Sequence, residues 1–545
     1  MSSLDTLRHY EEQVLDAQYS KWPIWSYDKE KIIYALFAAF DSMYVVFRMV
    51  NPTTVGHFQH FKYVEEGFVY ALRCFTRHHG ISPLRPTGES SIICAAGDFL
   101  NFCARYALVA HLHQMTSQGL CDAEIDETTK MVTFVPRWKW EEGEGFSQGL
   151  QVDLANIKST RSNVEPSAVR EELEKVNFSL LGGRIVFNDY NFLGSTALRG
   201  VATATSSGEN LFLPANFRIR TFCFSQFISV MEIIQTWSFV SIMLYESLMN
   251  QGYHQESCMP TQVLKLDMFI SVLSEHTRIE ESVILDVVSM LSYDMGHKGD
   301  VYLKPFYVSD GKIMWSPFQV SKSRHKRNLL KLMSRTPELE AEASNLIGSR
   351  ETLLASTIGK FFAKKGGYSF KTNVPIKSST GNGEIDILLY TNKAPSEVLL
   401  VEVKSVLAAD DINEVKSATD QMMKGQKQIK KAIDILKTML DRDKLAIYPF
   451  VNWDVVKEYY GLVVSPDTFP GRKYCHDDIP GTTFQIMKYQ LCAKDFKKPS
   501  SICSAFKTME WKVKPLSSNV VYEDIIFEDV TYRIPSVELD NPTVN

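Results

Sequence analysis

Paired cysteines and an excess of charge of one sign are both missing from this sequence. Its nine cysteines are scattered and include no C-x-x-C pair, which argues against a zinc ribbon or a disulfide framework. Reduced thiols, as in a cytoplasmic protein, are therefore expected. The net charge of −5 over 545 residues argues against a uniformly basic nucleic-acid-binding surface, although it allows a local basic groove.

Signals for nucleotide binding, export and membrane insertion are missing as well. No Walker A sequence occurs, so no NTPase site is expected, and residues 1–5 lack the basic-then-apolar layout of a signal peptide. The apolar stretches 32–50 and 222–245 are interrupted by Asp41 and Glu232 respectively. A spanning helix needs about 20 apolar residues with few charges. We therefore predict buried helices of a cytoplasmic protein that has no membrane partner.

The length of the chain predicts several domains, because one hydrophobic core does not grow to this size. The apolar and turn patterns predict an α+β multidomain protein in four parts. These are a mostly helical region 1–300 of unknown role, with a division into two subdomains near 125–215 as an alternative, a β-hairpin and basic connector 301–345, an α/β domain 346–515 and an acidic C-terminal tail 516–545.

Two features of the N-terminal region have chemical interpretations that we weigh against structural ones. The histidine pairs lack the second pair of ligands that a structural metal site needs; they are His57 and His60, His78 and His79, and His111 and His113. Ser147 lies in a G-x-S-x-G pattern, but an acidic, glycine-containing stretch precedes it where a nucleophile elbow requires a buried strand. A flexible loop is the expected structure there, and a serine hydrolase remains a rival hypothesis.

A basic run follows the predicted hairpin at Asp310–Gly311. Six of the fifteen residues 321–335 are Lys or Arg, and none is acidic. Such a run predicts a solvated surface or an inter-domain joint, and contact with phosphates is the alternative.

Acidic residues interrupt two apolar, strand-like segments, 383–389 and 398–405. Alternate side chains of a strand share a face, so Glu384 is expected beside Asp386, and Glu402 beside Lys404. Buried strands do not carry charge unless the charge is paired or binds a metal. These residues therefore predict a polar site at the ends of two core strands.

Helices are predicted on both sides of these strands. The first covers 351–365, and its Glu351 either complements the helix dipole in the first turn or points into a metal site. The second covers 410–440 and has a continuous apolar stripe. Gln426, and less closely Gln421, lie at the edge of that stripe. The opposite face, which carries Lys424, Lys427 and Lys430, is expected to be solvated.

Helix, strand, a strand with Gly-Glu-Ile-Asp, a strand with Val-Glu-Val-Lys and a helix with Gln resemble the PD-(D/E)XK, or restriction-endonuclease-like, nuclease superfamily. The resemblance covers 346–464, about a fifth of the chain. It implies a central mixed β-sheet flanked by helices. Ile385 stands where the family's eponymous motif has proline.

The resemblance also implies a role for each residue. Asp386 and Glu402 would bind a divalent metal, and Lys404 would position or deprotonate the attacking water. Glu351 would be the acid of the first helix, and Gln426 or Gln421 the helix glutamine, with Glu384 in a supporting position. Independently of the family, two carboxylates and the carbonyl of Val403 are enough protein ligands for Mg²⁺, with Mn²⁺ as the alternative.

The leading hypothesis is a Mg²⁺-dependent endonuclease that acts on nucleic acid, with DNA favoured over RNA. By analogy it would serve defence, restriction or DNA processing, and the N-terminal region would recognise substrate or regulate cleavage. A homodimer would allow both strands to be cut. The alternative is a non-catalytic nucleic-acid-binding or assembly module that retains the nuclease fold.

Overall fold

A computed structural model describes most of the chain. The described residues are 3–50, 55–78, 92–119, 121–136, 164–204, 212–293, 303–379, 381–406, 412–466, 479–493, 497–508 and 518–539. Ser147 and His79 lie outside them.

The described part upstream of residue 340 is mainly helical. Its α-helices are α1 Ser3–Tyr10, α2 Lys29–Val50, α3 Val55–His78, α4 Ile92–Ser117, α5 Pro166–Glu174, α6 Thr196–Ala202, α7 Phe224–Asn250, α8 Leu266–Thr277, α9 Glu281–Met290, α10 Pro317–Lys322 and α11 His325–Arg335. Short 3₁₀ or π turns cover Glu11–Leu15, Asp16–Lys21, Pro23–Ser26, Asn191–Gly194, Gln255–Ser257 and Pro337–Leu339.

Short strands punctuate this region: β1 Cys121–Asp126, β2 Met131–Pro136, β3 Phe178–Leu181, β4 Arg184–Phe187, β5 Arg218–Ile219, β6 Phe222–Cys223, β7 Gln262–Lys265, β8 Tyr307–Ser309 and β9 Lys312–Trp315. β8 and β9 are antiparallel and joined at Asp310–Gly311, both with positive φ. The hairpin predicted there is present.

One hydrophobic core runs through this N-terminal body, from Leu7 to Leu346. Helices on both sides of 125–215 contribute to it. α4 and α7 are long and apolar enough to cross a membrane by length and composition alone. The middle of α7 is buried inside the fold, where Trp237 packs against Trp315 and Phe269, which is compatible with a soluble protein.

Asp41 explains how the apolar stretch of α2 accommodates a charge. It is completely buried and accepts hydrogen bonds from the Ser316 and Thr261 hydroxyls and, at 3.4 Å, from the amide of Phe318. Burial raises the pKa of its carboxyl to about 7. The carboxyl therefore links α2 to Thr261, directly before β7, and to the start of α10.

The predicted acidic tail is instead a hairpin that belongs to the N-terminal body. β15 Ser518–Phe527 and β16 Val530–Leu539 are antiparallel, and β16 pairs in parallel with β2, giving the sheet order β1-β2-β16-β15. Its acids Glu528 and Asp529 face outward and pair with Lys21 and Lys130. Its alternate apolar residues are buried, and the acids in between conceal this pattern in the sequence.

We expect Tyr532→Ala to destabilise the N-terminal body. The ring of Tyr532 is fully buried against Phe134, His113 and Phe527, and truncating a buried aromatic side chain costs about 3–5 kcal/mol. Urea denaturation should show a loss of this size. Tyr522→Ala, at an exposed position of the same hairpin, should change the free energy of unfolding by less than about 0.5 kcal/mol. A loss in Tyr532→Ala as small as that in Tyr522→Ala would show that the hairpin does not contribute to the core.

The basic run 321–335 is not a solvated surface throughout. His325, Arg327 and Lys331 of α11 are buried. Leu329, Leu330, Leu332 and Met333 are buried too, so α11 has apolar neighbours on more than one side and its cations are enclosed with them. The middle of the run is therefore packed into the core of the N-terminal body.

The C-terminal domain is built on a five-stranded mixed sheet of order β10-β11-β12-β13-β14. Its strands are β10 Ser369–Ser378, β11 Gly381–Tyr390, β12 Glu397–Val403, β13 Glu458–Ser465 and β14 Gly481–Thr483. β11 pairs antiparallel with both β10 and β12, whereas the pairs β12–β13 and β13–β14 are parallel. The protein is therefore of the α+β class, with mixed sheets.

Helices cover both faces of this sheet. They are α12 Glu340–Gly366, α13 Ile412–Thr438, α14 Asp441–Ile447, α15 Phe484–Ala493 and α16 Pro499–Thr508, with a 3₁₀ turn at Trp453–Val455. α12, α15 and α16 pack on one face of the sheet and α13 packs on the other. Successive apolar residues of the strands point alternately to these two faces. The predicted succession of helix, three strands and long helix is confirmed.

Candidate active site

Asp386 lies where the ladders of the sheet are interrupted. The register of β10 with β11 omits the pair Asn373–Asp386, and Asn373 has a positive φ. The β11–β12 ladder ends at Ile387–Val401, so Asp386 and Glu402 occupy the next opposed positions. Oδ2 of Asp386 accepts a hydrogen bond from the Val403 amide at 2.7 Å. The carboxylate thus takes the place of a main-chain acceptor and is held where the pairing of β11 with β12 ends.

Glu402 and Lys404 form an enclosed ion pair beside it. Nζ of Lys404 donates to Oε1 of Glu402 at 2.6 Å, and only 13% and 6% of the two side chains, respectively, are exposed. They point to the same face, as predicted, and α13 covers them at Gly425. A Cβ atom at Gly425 would lie 3.2 Å from Cε of Lys404 and 3.3 Å from Cγ of Glu402. The absence of a side chain there lets the helix approach the pair.

Glu351 reaches the same strand end from the other face. Its Oε1 accepts the Ser405 amide at 3.0 Å. The helix-dipole interpretation of Glu351 is wrong, because α12 begins at Glu340 and Glu351 lies in its middle. Nη1 of the buried Arg350 donates to Oγ of Ser405 at 3.3 Å. Arg350 and Ser405 were not predicted, and their only sequence signal is adjacency to Glu351 and Lys404.

Burial and mutual repulsion perturb both central acids. Desolvation, followed by the neighbouring Asp386 carboxylate, raises the pKa of Glu402 to about 7 despite the opposing effect of Lys404. Desolvation also raises the pKa of Asp386, and the Val403 amide opposes this. The Glu351 carboxylate contributes to the rise at both residues. Added positive charge at this edge would relieve the repulsion.

We expect the stability of chelator-treated protein to fall as the pH rises through neutrality. Folded Glu402 binds its proton more tightly than unfolded Glu402, so this contribution is complete below about pH 4.5 and is lost as the pH rises through about 7. Each pKa unit corresponds to about 1.4 kcal/mol. Urea denaturation between pH 5 and 8 should show the slope.

Asp41 titrates over the same range, so two matched variants separate the contributions. Glu402→Gln and Asp41→Asn should each reduce the slope, and the double variant should reduce it most. An unchanged slope in Glu402→Gln would contradict the raised pKa.

The other predicted residues do not join the acids. Gln426 is buried, but its Nε2 donates to the carbonyl of Ile479 at 2.6 Å, beside the β14 edge. Gln421 and Glu384 are exposed, although the Glu384 carboxylate still contributes to the raised pKa of Asp386. Of the residues in the histidine pairs, His113 lies in the N-terminal body, where its Nδ1 is 3.5 Å from Oε2 of Glu11.

The oxygen ligands at the end of the β11–β12 pairing suit a hard cation. Within the described ranges, no three His, Cys, Asp or Glu side chains are grouped closely enough to hold a metal ion. The candidate set is therefore two carboxylates, Asp386 and Glu402, and a main-chain carbonyl. The N–H and C=O of one strand residue point to the same side, so the carbonyl of Val403 lies on the Asp386 side. Oxygen ligands of this kind fit Mg²⁺ or Mn²⁺.

No family model, curated protein or solved structure matches the chain.

Proposed function

We propose that the C-terminal domain is a metal-dependent endonuclease that hydrolyses phosphodiester bonds of nucleic acid, with DNA favoured over RNA. One observation carries the proposal. Asp386 and Glu402 face each other where the pairing of β11 with β12 ends, and Lys404 is hydrogen-bonded to Glu402. The order α12-β10-β11-β12-α13 and the mixed sheet support the resemblance to the restriction-endonuclease-like superfamily.

The residues of the site divide the chemistry between them. Asp386, Glu402 and the Val403 carbonyl would hold Mg²⁺ or Mn²⁺, which neutralises phosphate charge and lowers the pKa of water. One oxygen of Asp386 accepts the Val403 amide, and the other is available in chemical terms as a ligand. The Lys404 ammonium can orient water and stabilise the charge that develops on phosphorus oxygens. Glu351 fixes the chain after Lys404 through Ser405.

The N-terminal body would recognise substrate or regulate cleavage. α12 supports this division, because its first turns belong to the N-terminal core at Ala343 and Leu346, whereas Leu354 and Ile358 belong to the sheet core. Arg350 and Glu351 lie between these parts and bind Ser405. Such an arrangement suits defence, restriction or DNA processing in the cytoplasm. A homodimer would allow both strands of DNA to be cut.

Metal dependence tests the proposal. Purified full-length protein should cleave plasmid DNA in Mg²⁺ or Mn²⁺ and lose this activity in EDTA, and a matched RNA should be cut more slowly. Ser147→Ala should cleave at the wild-type rate. Cleavage that persists in EDTA, or that is lost in Ser147→Ala, would overturn the proposal.

A second function is favoured by one observation. Lys404 neutralises Glu402 in an enclosed ion pair, and a structural role for this pair would make the domain a nucleic-acid-binding or assembly module without turnover. DNA binding without metal-stimulated cleavage at any tested metal would support this function over the first.

A further inference from the structure

We propose that one side of α13 binds the phosphate backbone of nucleic acid beside the candidate active site, through Lys424 and Lys431. The inference rests on the proposed function, because it assigns substrate contacts to the same site. The sequence predicted only solvation for Lys424 and gave no prediction for Lys431.

The two polar sides of α13 face different parts of the sheet. Cε of Lys431 lies 3.9 Å from the position of a Cβ atom at Gly381, in the β10–β11 hairpin. Ile435 reaches Gly383, and the hydroxyls of Thr438 and Ser378 are 3.3 Å apart. This side of the helix therefore adjoins β11, the strand of Asp386.

The opposite side of the helix adjoins β14. Gln426 binds Ile479 there, and Lys430 and Lys437 follow Gln426 by about one and three helical turns on the same side. Both lysines are exposed. α13 thus carries two lysine pairs with equal seven-residue spacing, one on each side.

Lys424 and Lys431 combine four properties that favour contacts with phosphates near the site. Both are exposed, and no ion pair joins either of them to an acid among the described residues. Lys424 directly precedes Gly425, which contacts the Glu402–Lys404 pair. Seven residues of helix place the two lysines about 10.5 Å apart along the helix axis, so their long side chains can contact separate phosphates of one strand. A nucleic-acid strand that lies along this side would pass the acids.

Binding without cleavage tests the surface. In an Asp386→Asn background with EDTA, fluorescence anisotropy measures the affinity for a labelled DNA duplex of about 25 base pairs between 50 and 200 mM KCl. Lys424→Ala/Lys431→Ala should weaken binding at least tenfold and lower the slope of log K against log salt by about 2, since each phosphate contact contributes about 0.9. Lys424→Arg/Lys431→Arg should retain binding.

Lys430→Ala/Lys437→Ala is the matched control, because it removes the same charge from the same helix. It should change affinity less than about twofold. Equal effects of the two alanine pairs, or no binding by the parent protein, would overturn the surface. Metal-dependent cleavage by wild type with equal binding by all variants would overturn the surface and leave the nuclease proposal intact. Lysine-dependent binding without any cleavage would overturn only the nuclease proposal.

Discussion

Asp386→Asn should lower the rate of DNA cleavage at least about a thousandfold in saturating Mg²⁺. Asparagine preserves the size of the side chain and an oxygen that can accept the Val403 amide, but it removes the negative charge. Lewis-acid stabilisation by a bound metal is worth several kcal/mol, and about 4 kcal/mol corresponds to a thousandfold in rate. Single-turnover cleavage measures the loss directly.

Asp454→Asn makes the same chemical change at an exposed acid of this domain and should cleave at the wild-type rate. Because the amide oxygen introduced by Asp386→Asn keeps the main-chain contact, the thermal midpoint of the chelator-treated variant should change little. A fully active Asp386→Asn enzyme would remove Asp386 from the mechanism and, with it, the nuclease proposal.

The candidate site could be anticipated from local patterns because its main parts are local. The alternation of Glu402 and Lys404 determines that they share a face, and the Asp386 strand precedes theirs along the chain. Gln426 could not be placed in the same way. A helical stripe indicates which residues lie at its edge, but it does not tell which edge faces β11 and which faces β14, and Gln426 lies towards β14.

Contacts between distant segments account for the other differences between the predictions and the structure. The 518–539 hairpin pairs with β2, and the paired residues Met131 and Thr531 are 400 positions apart in the sequence. No local pattern specifies such a partner. The position of Glu351 in its helix was misjudged for a related reason. The turns from Glu340 to Arg350 are stabilised by packing against the N-terminal core, which is a tertiary contribution that helix propensity does not contain.

Gly425→Ala should reduce cleavage at least about tenfold while the protein stays folded. The added methyl group would lie 3.0 Å from Cγ1 of Val463 and 3.2 Å from Cε of Lys404, so the helix or one of these side chains must shift. Alanine gains up to about 1 kcal/mol of helix propensity over glycine, which offsets part of the roughly 1–3 kcal/mol that overpacking typically costs. The net loss of stability should therefore be at most about 2 kcal/mol.

A pH–rate profile separates displacement of Lys404 from a general loss of stability. If Lys404 moves away from Glu402, the pKa of that carboxyl rises further, because the ammonium opposes its protonation, and the acid limb of the profile should shift to higher pH. Gly348→Ala adds a methyl group to α12 where nothing lies within 4 Å, and its profile should match wild type. Gly359→Ala, which is crowded by the ring of Phe370, should lose stability without the shift. An unshifted limb in Gly425→Ala would show that close packing at this glycine does not position the catalytic pair.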